Sequence, residues 1–311
     1  MVETGSVKCL DEAHGEKFSI YQADCVDLAS QMPDNSIDLS IYSPPFSGLY
    51  IYSDSVCDMG NTANDAEFIR QYSFLVREKH RITRPGRVSC VHCKNLVNYN
   101  GRDGMAGLRD FRGDIIRIHQ AEGWAYHSEV VIWKDPVIEM QRTKAHGLLY
   151  KQLRADSTFS RQGMPEYVLI FRKWANEEGA GVVPVEHTKQ DFPLDQWQRW
   201  ASPVWMDIRQ TNVLNTDLAR DDRDEKHICP LQLDVIERCV TMWSNPGDVV
   251  FSPFMGIGSE GFQSVKYGRR FIGTELKASY FSQAVRFLRN AEAESVTLFD
   301  SIPRSLPEVG K

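Results

Sequence analysis

The segment DVVFSPFMGIGSEG (248–261) begins as a run of β-branched and aromatic residues, passes through a glycine-rich turn and leads into a helical pattern. Gly256, Gly258 and Gly261 have the spacing GxGxxG, which lets the backbone turn tightly and approach a ligand without a Cβ in the way. Glu275 stands at the end of the next apolar run, where its carboxylate can accept hydrogen bonds from two ribose hydroxyls. This pattern predicts a strand–loop–helix unit that binds either a dinucleotide or S-adenosylmethionine (AdoMet).

Short runs typical of strands recur along the rest of the chain, at 18–24, 37–43, 87–93, 129–135, 167–173, 248–254 and 270–276. Apolar faces with helical spacing lie between several of them: Phe68, Ile69, Tyr72, Leu75 and Val76; Leu233, Ile236, Cys239 and Val240; Ala278, Phe281, Ala284, Val285 and Leu288. Strands that alternate with helices predict an α/β fold, in which a largely parallel sheet of about seven strands has helices on both faces.

The position of the glycine loop in the chain separates its two possible ligands. A dinucleotide-binding fold usually opens with this unit, whereas only residues 262–311 follow it here. The other strands must therefore come from upstream, as they do in a permuted AdoMet-dependent (Rossmann-like) methyltransferase. A nicotinamide oxidoreductase is the rival interpretation of the loop.

The charge balance excludes a generally basic nucleic-acid binder, because 36 Lys+Arg and 42 Asp+Glu among 311 residues give a formal net charge of −6. A local basic face is still allowed, since residues 142–173 contain seven Lys/Arg and two acidic residues. The chain has no apolar run of roughly 18 residues, and its first residues lack the apolar core of a signal peptide. We therefore expect a cytoplasmic protein without a membrane partner.

The seven cysteines are an odd number and are scattered, which is typical of a reduced intracellular protein. Cys90 and Cys93 form a CxxC in RVSCVHCKN (87–95). Because this stretch is apolar and no second CxxC follows, we interpret it as a buried strand and predict no metal; a metal or redox site is the alternative.

A second stretch, IDLSIYSPPF (37–46), carries the chemistry. It reads as a buried strand that ends in Ser43, Pro44, Pro45 and Phe46, and the two prolines stiffen the exit and leave carbonyls free to face a ligand. The Ser43 hydroxyl and the Pro44 carbonyl can each accept one N–H of an exocyclic amine, while Phe46 can stack on a base. Holding both protons favours a tetrahedral nitrogen whose lone pair points at a methyl donor. A rigid structural turn is the alternative interpretation.

At these residues the chain resembles the amino-group DNA methyltransferases of the β class. SPPF is similar to their catalytic tetrad, FSPFMGIGSEG to their AdoMet loop, and KHICPLQLDVIER (226–238) to the segment that covers the methionine end of AdoMet. GTEL (273–276) is similar to their ribose-binding strand, and Asp24 resembles the acidic residue that contacts the cofactor's adenine. The resemblance implies that AdoMet is bound by Asp24, Cys25, His227, Ile228, Pro230, Ser252, Pro253, Phe254, Gly256, Gly258, Ser259 and Glu275.

The resemblance also implies a domain organisation and a partner. The tetrad precedes the AdoMet loop, which implies a catalytic AdoMet-binding domain at 1–135 and 226–311 with an inserted target-recognition region at 136–225. Double-stranded DNA is the implied partner, and the basic and amide residues of the insert are its expected contacts: Gln141, Arg142, Lys144, Lys151, Gln152, Arg154 and Arg161. We further expect a homodimer of the orphan type carried by phages and prophages, which flips its target base out of the duplex.

Two residues depart from the family's pattern. Ser252 stands where the family usually has Asp; this removes a carboxylate near the cofactor and predicts weaker AdoMet binding without inactivation, since the hydroxyl can accept a hydrogen bond. A serine at the position of Ser43 is commoner among enzymes acting on cytosine N4, whereas Asp or Asn predominates among adenine N6 enzymes. The similarity to phage-type orphans nevertheless favours adenine N6, with cytosine N4 as the alternative.

Other functions stay open at this point. Ser252 motivates a regulator that binds DNA without catalysis, and Pro-Pro-aromatic tetrads also serve methylation of RNA or of a protein amide. A cytosine C5 enzyme is excluded, because its nucleophilic cysteine typically follows a proline and none of the seven cysteines does.

Overall fold

The computed structural model describes residues 9–45, 59, 62, 65–143, 146–175, 181–215 and 230–300. Its strands are β1 (Asp11–His14), β2 (Phe18–Gln22), β3 (Ile37–Tyr42), β4 (Thr83–Cys93), β5 (Leu96–Asn98), β6 (Gly107–Arg109), β7 (Ala125–Ile132), β8 (Glu166–Arg172), β9 (Val204–Trp205), β10 (Val249–Ser252) and β11 (Arg270–Thr274). Its α-helices are α1 (Cys25–Gln31), α2 (Asp65–Ile82), α3 (Asn100–Asp103), α4 (Phe111–Ala121), α5 (Pro136–Thr143), α6 (Tyr150–Ala155), α7 (Leu194–Trp200), α8 (Leu233–Trp243), α9 (Ser259–Lys266) and α10 (Ala278–Asp300). None of these helices is long and apolar enough to cross a membrane.

Nine strands form one sheet in the order β1-β2-β11-β10-β3-β4-β8-β7-β9, and β5 pairs with β6 separately. The strands from β2 to β4 in this order are parallel, while β8 is antiparallel to both of its neighbours. All seven predicted strands are present, which confirms the α/β prediction. The additional strands β1 and β9 lie at the sheet edges and are four and two residues long, too short for a periodic signal.

Two apolar cores cover the sheet, one on each face. Helices α8, α9 and α10 pack on one face, and α1, α2 and α4 pack on the other. The three predicted apolar helix faces coincide with α2, α8 and α10; Ile69, with 36% of its surface exposed, lies at the margin of the first face, and Ala278 is exposed at the start of the third. Helices on both faces are what an almost fully buried parallel strand such as β3 requires.

The parallel strands β2, β11, β10, β3 and β4 all end at the same edge of the sheet, which we call the carboxyl edge. Strand β7 also ends there, because it is parallel to β4. Strand β8 runs in the opposite direction and begins at this edge. The connection 133–165 between β7 and β8 therefore leaves the sheet and returns to it at the carboxyl edge.

The predicted boundaries of the insert, 136–225, need revision. Strand β8 falls inside this range, yet it lies in the main sheet between β4 and β7, because its apolar residues from Val168 to Phe171 are fully buried there. Strand β9 also pairs with β7. The range is therefore interrupted by sheet strands, and the part that projects at the carboxyl edge is 133–165.

Cys90 and Cys93 are buried in β4, as predicted, and they contribute to the cores on opposite faces of the sheet. Burial raises the pKa of both thiols. Two cysteines on opposite faces of a strand cannot bind one metal ion together. Within the described ranges no group of three or more His, Cys, Asp or Glu side chains is arranged to hold a metal.

A buried polar network lies beneath the end of β3. Lys79, in the last turn of α2, is fully buried, and its Nζ donates to Tyr42 Oη at 2.6 Å and to Ser89 Oγ at 2.7 Å. Tyr42 Oη also bonds Tyr72 Oη at 2.7 Å. Burial holds the pKa of Lys79 well below its usual range. The network fixes Tyr42, the residue immediately before Ser43.

Replacing Lys79 with methionine (Lys79→Met) is expected to change the pH dependence of stability. Because the pKa of Lys79 is lowered on folding, the unfolded chain binds this proton more tightly, and the free energy of unfolding rises with pH until the ordinary lysine value near 10.4 is reached. In Lys79→Met, the slope of the free energy of unfolding against pH should therefore be smaller, by up to about 1.4 kcal/mol per pH unit between pH 7 and 10. Urea unfolding at a series of pH values measures it, with exposed Lys266→Met as control. Equal slopes for Lys79→Met and wild type would contradict it.

Candidate active site

The predicted site residues come together along the carboxyl edge. Asp24 follows β2, Glu275 follows β11, the loop of Gly256 and Gly258 follows β10, and Ser43 follows β3. Because these strands are successive neighbours in the order β2-β11-β10-β3 and lie about 4.8 Å apart, the residues form a row. Segments from both ends of the chain thus meet at one edge of the sheet, where the predicted cofactor residues lie beside Ser43, Pro44 and Pro45.

The two glycines of the loop have different surroundings. Gly258 has φ +91°, and a Cβ there would lie 2.9 Å from Leu288 Cδ1 and 3.0 Å from Ala284 Cβ, so α10 packs directly against it. Gly256 has φ +53°, and a Cβ there would meet no atom of the described structure within 4 Å. Gly258 is therefore required by packing, whereas Gly256 borders open space in which a ligand can approach the backbone.

Glu275 holds the loop in place. Its Oε2 accepts the Gly256 N–H at 3.1 Å, and its Oε1 accepts the Lys277 N–H at 2.8 Å. Thr274 Oγ1 donates to the Pro253 carbonyl at 2.6 Å and ties the same loop to β11. The Glu275 carboxylate, which is predicted to bind ribose, is thus held in position by its hydrogen bond to the glycine loop.

Asp24 caps the N-terminus of α1. Its Oδ1 accepts the Val26 N–H at 2.8 Å and the Asp27 N–H at 3.0 Å, and burial raises its pKa. The second carboxyl oxygen takes no part in these two bonds. Cys25, the first residue of α1, is buried, and its side chain belongs to the core beneath the site.

The residues present fit AdoMet. Ser252, which replaces the usual Asp, is fully buried at the base of the loop, and its Oγ has no hydrogen-bond partner among the described residues. Ser259 Oγ, at the start of α9, is also buried without a partner there. Two unpartnered hydroxyls, the open space at Gly256 and the carboxylates of Asp24 and Glu275 supply the polar groups that an adenosine and a charged methionine moiety need.

Glu260, in the first turn of α9, was not predicted as a site residue. It is buried, and burial together with the nearby Glu275 carboxylate raises its pKa to about 8. Glu260 is therefore mostly protonated at neutral pH, and it adds little negative charge to the loop.

A chain of hydrogen bonds leads away from Ser43 across two strands. Ser43 Oγ lies 2.9 Å from His92 Nδ1, and His92 Nε2 lies 3.2 Å from Glu166 Oε2. The same carboxylate oxygen lies 2.6 Å from Lys134 Nζ. The side chains of His92, Glu166 and Lys134 are only 12%, 9% and 7% exposed. The serine hydroxyl is thus connected to a buried His–Glu–Lys cluster.

Sequence reasoning missed this cluster. The pattern around His92 indicates only an apolar strand, and the pattern around Glu166 indicates only an acidic residue within a basic segment. The position of His92 could have indicated its role, because it is a polar residue near the carboxyl end of a strand and the ligand-binding sites of parallel α/β sheets lie at these ends. The contribution of Glu166 depends on β8 running antiparallel to β4, which no local pattern indicates.

Several predicted residues lie outside the described part of the chain or are only partly described. Phe46, Lys144, His227 and Ile228 fall outside it, as does the side chain of Arg142. Pro44 and Pro45 are buried after β3, Phe254 contacts Tyr42 with ring centroids 5.8 Å apart, and Pro230 is half-buried before α8. The predicted DNA contacts that are described lie on the connection 133–165: Gln141 on α5, Lys151, Gln152 and Arg154 on α6, and Arg161 before β8.

The chain is similar in sequence to known DNA methyltransferases. Residues 37–286 match the DNA methylase family N6_N4_Mtase. The chain is 41% identical over 278 residues to the orphan methyltransferase M.BamHII of Bacillus amyloliquefaciens, which covers 85% of this chain and 92% of that protein. It is 34% identical over 277 residues to the DNA adenine methyltransferase YhdJ of Escherichia coli (strain K12), covering 88% of this chain and 83% of that protein.

A solved structure agrees with the fold. A candidate DNA modification methylase from Thermus thermophilus, in complex with S-adenosyl-L-methionine, has a TM-score of 0.60 at 21% identity and covers 86% of this chain and 94% of its own. The match over residues 37–286 includes both the tetrad and the glycine loop. The chain therefore belongs to the DNA methylase family, and it is an AdoMet-dependent DNA methyltransferase that acts on an exocyclic amine, adenine N6 or cytosine N4.

Proposed function

We propose that this protein methylates adenine N6 at a specific DNA sequence, on a base flipped out of the duplex toward Ser43 at the carboxyl edge of the sheet. The observation that carries the proposal is the position of Ser43 at the end of β3, next to the glycine loop that follows β10. Ser43 Oγ and the Pro44 carbonyl accept the two N–H groups of the amine, and Phe46 stacks on the base. AdoMet, when bound, supplies an electrophilic methyl group to the nitrogen lone pair.

The choice of base rests on two observations that point in different directions. The 34% identity to YhdJ, which is named a DNA adenine methyltransferase, supports adenine. Ser43 in place of Asp or Asn favours cytosine N4, which is therefore the second candidate. We give adenine precedence because the similarity to YhdJ extends over 88% of this chain, whereas the serine is one position.

Sequencing of DNA from cells that express the protein, by a method that reports modified bases, tests this proposal. We expect methylated adenine within one short motif, absent from cells expressing Ser43→Ala. Methylated cytosine N4 in one motif would replace adenine with the second candidate. Tritiated methyl transfer to duplex DNA, tRNA and protein extract separates the remaining functions: label confined to RNA or protein, or DNA binding without label, would refute the proposal.

We further propose that the connection 133–165 contacts DNA. It contains six Lys/Arg and three acidic residues, and it leaves and rejoins the sheet at the edge that carries Ser43. A cavity of about 280 Å³ lies beside it at the end of β4, lined in part by Asn95, Arg161, Gln162 and Tyr167. These side chains offer amide and guanidinium groups of the kind that contact base edges. We also propose that the protein forms a homodimer and is located in the cytoplasm.

Replacing Lys151 and Arg154 together with glutamine is expected to weaken DNA binding regardless of sequence. Both side chains are exposed on α6. Each cation that pairs with a phosphate contributes about 0.9 to the magnitude of the slope of log K against log[salt], so the double variant should reduce that magnitude by about 2. Titration of labelled duplexes at several salt concentrations measures this. Lys266→Gln, at the opposite edge of the sheet, is the matched control. An unchanged salt slope in the double variant would assign the DNA contacts elsewhere.

A further inference from the structure

We propose that His92 and Glu166 act through Ser43 as a buried proton relay, which orients the serine hydroxyl and accepts the proton that the methylated amine releases. The proposal rests on the proposed role of Ser43 in holding that amine. His92 and Glu166 are positioning residues in this scheme, since only Ser43 touches the base.

The backbone register aligns the relay. Tyr42 on β3 is opposite Val91 on β4, so the next residues, Ser43 and His92, lie at the same level. Glu166 is opposite Ile132, the last residue of β7, and Lys134 follows two residues later. Three neighbouring strands and the start of the connection 133–165 therefore each contribute one group to a line of contacts of 2.9, 3.2 and 2.6 Å.

The chemistry of each group fixes the direction of the hydrogen bonds. Burial opposes ionisation of Glu166, but the hydrogen bond from His92 and the ion pair with Lys134 favour the carboxylate, and the pKa of Glu166 is held well below its usual range. An ionised carboxylate only accepts, so the neutral His92 ring must carry its proton on Nε2. Its Nδ1 is then an acceptor, and the Ser43 O–H must donate to it. The lone pairs of Ser43 Oγ are thereby left to accept an N–H of the target amine.

The relay balances the proton released by the reaction. As the bond from the methyl carbon to sulfur breaks, with its electron pair remaining on sulfur, the amine lone pair forms the new C–N bond and the nitrogen becomes positive. One of its protons passes to Ser43 Oγ while the Ser43 hydroxyl proton passes to His92 Nδ1. The resulting imidazolium is stabilised by the Glu166 carboxylate, and the secondary amine leaves neutral.

Protonation of His92 beforehand would disable the relay. Both ring nitrogens would then donate, Nδ1–H would occupy a lone pair of Ser43 Oγ, and no acceptor for the released proton would remain. Among the described residues, the charged groups that face His92 are Glu166 from β8 and, through it, Lys134 from the connection 133–165; the Ser43 hydroxyl faces it from β3. We therefore expect methyl transfer to slow as the pH falls.

Single-turnover methyl transfer with enzyme in excess over a duplex substrate, measured from pH 5.5 to 9, tests the relay. His92→Gln is expected to lower the rate about 100-fold and to abolish its acidic limb. Glu166→Gln removes the group that favours the protonated ring and should move the limb to lower pH. Lys134→Gln removes the opposing positive charge and should move it to higher pH. Exposed His127→Gln, near the far end of β7, is the matched control.

The outcomes separate the relay from its premises. Two results would overturn the relay, provided that the wild-type protein transfers methyl groups. One is a pH–rate profile of His92→Gln that equals the wild-type profile; the other is an acidic limb that moves in the same direction in Glu166→Gln and Lys134→Gln. Absence of methyl transfer by wild type would instead refute the function on which it rests. Thermal unfolding and AdoMet binding identify a variant that has lost its fold. If His92→Gln is such a variant, the shifts of the acidic limb in Glu166→Gln and Lys134→Gln test the relay on their own, because a cluster with a purely structural role would not shift the limb in opposite directions.

Discussion

Ser43→Ala is expected to lower the single-turnover rate of methyl transfer by about 100- to 1000-fold. In the proposed mechanism the serine hydroxyl accepts an N–H of the target amine and passes its own proton to His92, whose Nδ1 lies 2.9 Å away. Alanine removes both functions from the reacting nitrogen, yet it leaves the cofactor loop after β10 and the connection 133–165 unchanged. The loss should therefore appear in the rate and not in the affinities, which we expect to stay within about threefold of wild type.

The matched control for this change lies on β3, the strand that leads to Ser43. Ser40 is fully buried in β3, three residues before Ser43, and its hydroxyl has no partner among the described residues. Ser40→Ala should keep the wild-type rate, since it removes a hydroxyl that is buried within the sheet and has no role in the proposed mechanism. Rates follow from quenched reactions with tritiated AdoMet, and affinities from DNA anisotropy and calorimetry. If the rate of Ser43→Ala is within tenfold of the wild-type rate, the Pro44 carbonyl and the proposed stacking of Phe46 on the base are sufficient for methyl transfer without the serine.

Local patterns predicted most of the fold. The strands appear because β-branched and aromatic residues give each a short apolar run, and α2, α8 and α10 because their apolar residues repeat with helical spacing. The cofactor loop was predictable for the same reason: the sequence around Gly256 and Gly258 determines its turn locally. Lys79 is the counterexample, since a lysine in a helical pattern indicates a solvated face, and only the packing of α2 against β3 and β4 buries it.

The part of the site that sequence could not predict depends on pairing between distant strands. His92 and Glu166 are separated by 74 residues along the chain and meet only because β8 inserts between β4 and β7. The apolar run of β8 predicts a strand, but the place of that strand between β4 and β7 conflicts with an insert that spans 136–225. Strand order is set by the competition among all strands for buried neighbours, and no single segment encodes it.

The two loop glycines should respond differently to alanine. Gly258→Ala is expected to destabilise the fold by about 2–4 kcal/mol, because φ +91° is unfavourable for a residue with a Cβ and the new Cβ would press on Leu288 and Ala284 of α10. Gly256→Ala should cost only about 1–2 kcal/mol, since its φ of +53° lies in the left-handed region and its Cβ would meet no neighbour of the described structure. Urea unfolding without cofactor measures both values.

Cofactor binding should reverse this order for protein that remains folded. The open space beside Gly256 is where we expect AdoMet to approach the backbone, and the Gly256 N–H is already held by Glu275 at 3.1 Å. A methyl group there should raise the Kd for AdoMet at least about tenfold, equivalent to about 1.4 kcal/mol. Gly258→Ala, measured by calorimetry at a temperature where it is folded, should bind more tightly than Gly256→Ala. If Gly256→Ala binds AdoMet like wild type, the cofactor does not occupy the space beside this glycine, and the unpartnered hydroxyls of Ser252 and Ser259 would then mark a different approach to the loop.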